Sequence, residues 1–185
     1  MKKPLLIMIS GLPASGKTTL AKKISNHFKL PCFFADEIKE TISERICGRE
    51  NNEMFPKIAQ AAFDVFYKLI CGSILSGMSC VAETLFIKDF TVPELERISD
   101  KCNILEIYLE VDIERAINRY DMRHLSGKRH LSHIADMETV IEKYGGKEAL
   151  IKKSKINLGN VIVINTDDFS KINYENLYKE ISNRL

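Results

Sequence analysis

One stretch near the amino terminus constrains the fold of this chain more than any other. An apolar run from Leu5 to Ser10 ends at Gly11, and a helix-forming segment begins after Gly16. The residues at 11–18 read GLPASGKT and fill every fixed position of the pattern G-x-x-x-x-G-K-[ST]. Between a strand and a helix, this pattern predicts a loop that binds phosphate.

The chemistry of such a loop explains its residue types. Gly11 permits a sharp exit from the strand, and Gly16 lets the backbone approach phosphate where a Cβ would clash. Backbone N–H groups and the positive end of the helix dipole then face one anion. We expect Lys17 to reach the β- and γ-phosphates of a nucleotide and the Thr18 hydroxyl to bind Mg²⁺. The predicted nucleotide-binding residues of this segment are Gly11, Leu12, Pro13, Ala14, Ser15, Gly16, Lys17, Thr18 and Thr19.

Length and composition fit one soluble domain. The chain has 185 residues, 45% of them hydrophobic and 28% charged, which is typical of globular proteins. We find no apolar run approaching the roughly 20 residues that span a bilayer, so we expect a cytoplasmic protein without a membrane partner. The net charge of +2 is too small to indicate nucleic-acid binding by itself.

Strand and helix patterns alternate along the whole chain. This alternation predicts a single α/β domain over residues 1–185 with a mainly parallel sheet. The first strand is apolar on both faces, so we expect it at the centre of the sheet. The predicted strands are Leu5 to Ser10, Pro31 to Ala35, Ser79 to Glu83, Asn103 to Val111 and Asn160 to Asn165.

Two acidic residues lie at strand ends, where open α/β sheets bind their ligands. Asp36 follows the second strand and is either a functional carboxylate or only the N-cap of the next helix. Glu83 ends the third strand. It either helps to hold Mg²⁺, hydrogen-bonds a phosphoryl acceptor, or simply faces water.

Basic residues recur after the fourth strand. Arg115, Arg119 and Arg123 are spaced four apart on one helix face, and a row of unpaired guanidinium groups repels itself. A triphosphate would offset that repulsion, because guanidinium forks match phosphate oxygens. The alternative is a solvated basic face.

The segment from Met122 to Asp136 is polar and basic, and we expect it to form a mobile lid. It contains His124, His130 and His133. Metal binding by these histidines is the less favoured alternative, since no acidic or cysteine partner has ligand spacing.

Taken together, these features resemble a small P-loop kinase of the adenylate-kinase-like superfamily. They are most similar to the group that includes chloramphenicol phosphotransferase, zeta toxins and polynucleotide 5′-kinases. The resemblance rests on G-x-P-x-S-G-K-T at 11–18, Asp36, Glu83, R-x-x-x-R at Arg119 and Arg123, and the lid. It implies a three-layer P-loop NTPase sandwich with a parallel sheet of strand order 2-3-1-4-5.

The resemblance also implies roles for individual residues. Arg119 would lie on the adenine or α/β-phosphate side, and Arg123 would reach the transferring phosphoryl group. The loop from Thr166 to Phe169 would border the adenine. Members of the family often end their third strand in aspartate, whereas this chain has Glu83.

The leading hypothesis is an ATP-dependent kinase that transfers the γ-phosphoryl group of Mg·ATP to a hydroxyl of a small molecule. Lys17, Arg119 and Arg123 would neutralise charge, and Asp36 would accept the hydroxyl proton. Thr18 and Glu83 would hold the metal. The runner-up is a nucleoside monophosphate kinase, whose anionic acceptor would need a basic clamp such as Arg45 and Arg49.

Two further alternatives are a nucleotide-binding regulatory ATPase and a kinase that acts on nucleic-acid 5′ ends. The chain has no N-K-x-D guanine signature, and its arginines supply in cis what switches often borrow from a partner. No stripe of arginine and aromatic residues indicates a groove for single strands.

Overall fold

The computed structural model describes residues 2–46, 54–127, 130, 132–133 and 136–185 of the chain. Within that part, five parallel strands form one sheet in the order β2-β3-β1-β4-β5. The strands are β1 (Leu5–Gly11), β2 (Cys32–Phe34), β3 (Cys80–Glu83), β4 (Asn103–Glu110) and β5 (Asn160–Asn165). All of β1 is buried at the centre of the sheet. The predicted fold class and strand order are therefore confirmed.

Helices cover both faces of this sheet. They are α1 (Lys17–Phe28), α2 (Ala35–Ile46), α3 (Phe55–Leu75), α4 (Lys88–Glu96), α5 (Ile113–Leu125), α6 (Met137–Lys143), α7 (Lys147–Ser154) and α8 (Tyr174–Ser182). Side chains alternate along β1, so Leu6 and Met8 pack in one core with α3, while Ile7 and Ile9 pack in another with α1 and α8. The result is the predicted three-layer sandwich.

Helix α3 corrects one expectation drawn from the sequence. By length and composition alone, this 21-residue helix is long and apolar enough to cross a membrane. Its sequence is nevertheless interrupted by Lys57, Asp64 and Lys68. The residues on its opposite face, among them Phe66 and Ile70, pack in the core against the sheet. In this structure α3 is a core helix of the sandwich.

A carboxylate lies inside the sheet, on β4. Glu106 is fully buried, and the Ser10 hydroxyl donates to it at 2.6 Å. The backbone N–H groups of Ile156 and Asn157 donate to the same carboxylate at 3.0 and 2.7 Å. These donors compensate the cost of burying the group. Glu106 thereby joins the end of β1, just before Gly11, to the connection between α7 and β5.

Candidate nucleotide and acceptor site

The phosphate-binding loop has the backbone conformation that its glycines allow. Gly11 has φ 129°, and a Cβ at this position would lie 2.5 Å from the Leu109 carbonyl oxygen. Gly16 has φ 93° at the start of α1, and a Cβ there would lie 2.6 Å from Cε1 of Phe169. Both positions exclude a side chain by conformation and by space. The roles predicted for the two glycines agree with this geometry.

Lys17 is held inside the loop. Its Nζ donates to the Leu12 carbonyl at 2.8 Å, and the residue is only 7% exposed. Burial lowers the pKa of Lys17, whereas the nearby carboxylates of Glu83 and Asp36 raise it and Arg123 lowers it further. The lysine ammonium therefore lies within the electrostatic reach of both predicted carboxylates.

The interior of the loop fits a phosphate group. The buried Ser15 hydroxyl oxygen has no hydrogen-bond partner among the described residues. A buried polar atom without a partner is costly unless a ligand or water satisfies it. Together with the backbone space kept by Gly11 and Gly16, this unpaired hydroxyl matches a loop that receives oxyanions.

Glu83 lies directly beside the start of α1. The Thr18 hydroxyl donates to its carboxylate at 3.0 Å, and Glu83 is 7% exposed. Burial raises the pKa of Glu83, with Lys17 opposing that change. The alternative of a glutamate that faces water is therefore wrong. The hydroxyl and carboxylate oxygens of this pair are ligands of the kind that Mg²⁺ prefers.

Asp36 lies in the first turn of α2. The helix begins one residue earlier, at Ala35, so Asp36 is not its N-cap. The Asp36 side chain is 66% exposed and lines a cavity beside the phosphate-binding loop. Its Oδ1 lies 3.9 Å from Nζ of Lys39 and 3.9 Å from Nδ1 of His133.

The arginine row of α5 is not unpaired, which corrects the sequence expectation. Arg119 donates to the Thr166 and Asp167 carbonyl oxygens, each at 2.9 Å, and its guanidinium lies 4.4 Å from the centre of the Phe169 ring. Arg115 Nε lies 3.6 Å from a carboxylate oxygen of Asp167. The loop after β5 therefore neutralises one end of the row.

Arg123 differs from the other two arginines. It lines the same cavity as Asp36, and its guanidinium makes no ion pair with a described residue. Arg119 is not among the described residues that line the cavity, but the ring of Phe169 connects it to Gly16 on the far side of the loop.

The segment after α5 contacts α2. His133 Nε2 lies 2.6 Å from a Glu40 carboxylate oxygen, and its Nδ1 lies 3.0 Å from Lys39 Nζ. His130 Nε2 lies 3.7 Å from a Glu44 carboxylate oxygen. The described residues contain no group of three His, Cys, Asp or Glu side chains that could hold a metal ion.

Parts of the predicted lid cannot be placed in this way. Helix α5 continues to Leu125, so the first residues of the 122–136 segment belong to that helix. Lys128 and Arg129 lie outside the described residues. Arg49 of the predicted phosphate clamp also lies outside them, and its companion Arg45 is exposed near the end of α2 and does not line the cavity.

The cavity at the carboxyl edge of the sheet has a volume of about 690 Å³. It brings together most of the predicted site residues, namely Pro13, Ala14, Gly16, Lys17, Thr18, Thr19, Asp36, Glu83 and Arg123. Two lining lysines, Lys39 and Lys143, were not predicted. Lys39 follows Asp36 by three residues, and this helical spacing was a usable signal. For Lys143 the sequence offers no comparable signal.

Comparisons with known proteins agree on the fold. No family model matches this sequence, and no curated protein matches it. The solved structure of a provisionally named kinase from Chloroflexus aurantiacus J-10-fl superposes with a TM-score of 0.80 at 21% identity, covering 99% of this chain and 96% of that one.

Two further solved structures are more distant. The shikimate kinase of Bacteroides thetaiotaomicron has a TM-score of 0.53 at 18% identity and covers 96% of this chain and 98% of its own. A gluconokinase of Sinorhizobium meliloti 1021 has a TM-score of 0.50 at 14% identity, with 97% and 99% covered. At such identities the likeness concerns the fold. This chain has the fold of small P-loop kinases, and its likeness to the narrower group named above stays a prediction.

Proposed function

We propose that this protein is an ATP-dependent kinase that transfers the γ-phosphoryl group of Mg·ATP to a hydroxyl of a small molecule. The observation that carries the proposal is the convergence of Lys17, Glu83 and Asp36 on one cavity at the carboxyl edge of the sheet. The kinase names of structurally similar proteins support it. Such an enzyme would act in the cytoplasm, where Mg·ATP is abundant.

The phosphate end of the cavity would stabilise the charge that develops during transfer. Lys17 would exchange its bond to the Leu12 carbonyl for the β- and γ-phosphate oxygens, and Arg123 would approach from α5. Thr18 and Glu83 would hold Mg²⁺, directly or through water. The metal would supply charge neutralisation and alignment of the phosphates.

Asp36 would act on the acceptor side. Its carboxylate is exposed to the cavity and close enough to Lys17 to influence the pKa of that lysine. A carboxylate in this position can orient a hydroxyl and accept its proton as the new bond to phosphorus forms. Arg119, fixed by two carbonyl oxygens and Phe169, would border the nucleotide on the opposite side of the loop.

The monophosphate kinase alternative has less support. An acceptor that is already an anion needs cations and no base, but Arg45 does not line the cavity. A regulatory ATPase remains the alternative outside the kinases. The presence of an exposed carboxylate next to the phosphate-binding loop favours a hydroxyl acceptor over both.

A coupled assay for ADP tests the proposal. The protein would be incubated with Mg·ATP and separate panels of alcohols and nucleoside monophosphates, with phosphorylated products identified by ³¹P NMR. Stimulation by at least one alcohol supports the proposal. Stimulation by monophosphates alone would establish the runner-up, and slow hydrolysis that no acceptor stimulates would indicate a regulatory ATPase.

A further inference from the structure

The two sides of the cavity beyond the phosphate-binding loop differ in chemistry. Helix α2 contributes Asp36 and Lys39, which are polar and lie 3.9 Å apart. Helix α3 faces them with Phe55, Ala59 and Phe63, which have no polar side-chain atoms. We call these three residues the apolar stripe of α3.

The apolar stripe is a regular feature of the helix. Its members are spaced four residues apart, so they lie along one face of α3. The buried core face of the same helix is formed by other residues, including Phe66 and Ile70. Phe55 belongs to none of the core clusters formed by the described residues, and it is only partly buried. An aromatic ring in this position gains most from contact with a ligand.

Lys39 does not offer a simple anchor for an anionic acceptor. Its ammonium lies 3.9 Å from the Asp36 carboxylate and 3.0 Å from Nδ1 of His133. These neighbours already share its charge and its donors. A polyol placed against the stripe would leave hydroxyl groups without partners, which is costly in a desolvated site.

We propose that the acceptor is a neutral alcohol whose hydroxyl is carried by an apolar, ring-sized body. The hydroxyl would face Asp36, and the body would cover the apolar stripe of α3. This inference rests on the kinase function proposed above and names its substrate class. It separates this chain from the shikimate kinase and gluconokinase that share its fold, since the names of both refer to polyhydroxylated acids.

The transfer step balances as follows. The alcohol oxygen forms a bond to the γ-phosphorus of ATP while the bond from that phosphorus to the β–γ bridging oxygen breaks. The hydroxyl proton goes to the Asp36 carboxylate, and the bridging oxygen leaves on ADP with its electron pair. The products are ADP and a phosphate monoester of the alcohol.

The first experiment compares acceptors. Benzyl alcohol and cyclohexylmethanol represent the proposed class, and glycerol, gluconate and shikimate represent polyhydroxylated acceptors. We expect the two apolar alcohols to stimulate ADP formation at lower concentration than the polyols. A polyol that has the higher kcat/KM overturns the inference while leaving the kinase function intact.

The second experiment measures binding directly. Saturation-transfer NMR of benzyl alcohol is recorded with the full chain and the Mg²⁺ complex of a non-hydrolysable ATP analogue. We expect Phe55→Ser to weaken benzyl alcohol binding about tenfold, the usual effect of altering a hydrophobic subsite. The matched control is Phe90→Ser, because Phe90 is 70% exposed and does not line the cavity.

The outcomes separate the two proposals. Equal binding to the parent and Phe55→Ser proteins, or no binding of either apolar alcohol, overturns the acceptor class even when the nucleotide binds normally. Failure of the nucleotide analogue to bind in calorimetry overturns the kinase function instead.

Discussion

The phosphate end and the acceptor end of the cavity are built in different ways. At the phosphate end, Gly11 and Gly16 place the backbone, and Lys17 and Glu83 are almost fully buried. At the acceptor end, side chains of α2 and α3 line an open surface, and Asp36 is 66% exposed. Buried charges and constrained backbone tolerate little change, whereas exposed side chains can vary at low cost. Nucleotide chemistry is therefore built into the fold, and acceptor choice is left to replaceable residues.

The strongest test of the phosphate end is Lys17→Ala. Loss of the ammonium removes charge stabilisation from the transferring phosphoryl group, so we expect kcat/KM to fall by roughly 10³-fold. Calorimetry with Mg·ATP should show weaker binding. The control is Lys22→Ala, since Lys22 pairs with Glu37 on the exposed face of α1. Unchanged nucleotide binding in Lys17→Ala would contradict the role assigned to the loop.

Asp36→Asn tests whether the acceptor end takes part in chemistry. Removal of a general base should lower kcat by about 100-fold or more, because proton transfer contributes that much in typical enzymes. Nucleotide affinity should stay within about twofold, since the amide keeps the side-chain shape. Glu37→Gln serves as the control. Turnover that matches the parent protein would remove Asp36 from the reaction.

Arg119→Lys tests the connection between the nucleotide and the loop after β5. Lysine cannot reproduce two forked bonds and the stacking on Phe169, so we expect the nucleotide Kd to rise about tenfold. The acceptor KM should not change, because Arg119 does not line the acceptor cavity. Arg115→Lys is the matched control on the same helix. A change confined to acceptor KM would reverse the assignment of the two ends.

The smallest expected effect concerns stability. Burial raises the pKa of Glu83 above its ordinary value of 4.5, so its contribution to stability is present below that value and is lost as pH rises through the folded pKa. At pH 7 the ligand-free Glu83→Gln variant should be more stable by about 1 kcal/mol, and the difference should shrink toward pH 4. Urea denaturation across this range measures it, with exposed Glu110→Gln as control. A less stable variant at neutral pH would contradict the balance of burial and charge described here.

Much of the fold followed from local sequence patterns. The loop pattern required a strand before Gly11 and a helix after Gly16, and alternating elements then indicated a parallel sheet. Asp36 and Glu83 could be grouped because parallel strands end at one edge. For Asp36, the sequence could not choose between cap and functional carboxylate, since the outcome depends on where α2 begins by a single residue.

Contacts between distant segments could not be predicted in this way. The pairing of Arg115 with Asp167 and of His133 with Glu40 depends on how α5, α2 and the loop after β5 pack together. Glu106 was hidden within an apolar strand pattern, because a buried carboxylate is recognisable only from the donors that surround it.

Glu106 has a consequence for where the chain could be reopened by circular permutation. New termini at the exposed turn of Gly145 and Gly146 would leave every donor to Glu106 in place. New termini between Ile156 and Asn157 would free the amides that this carboxylate requires, and the disturbance would pass through Ser10 to the strand that precedes Gly11. The carboxyl-terminal third of the polypeptide is thus bonded to the segment on which nucleotide capture depends.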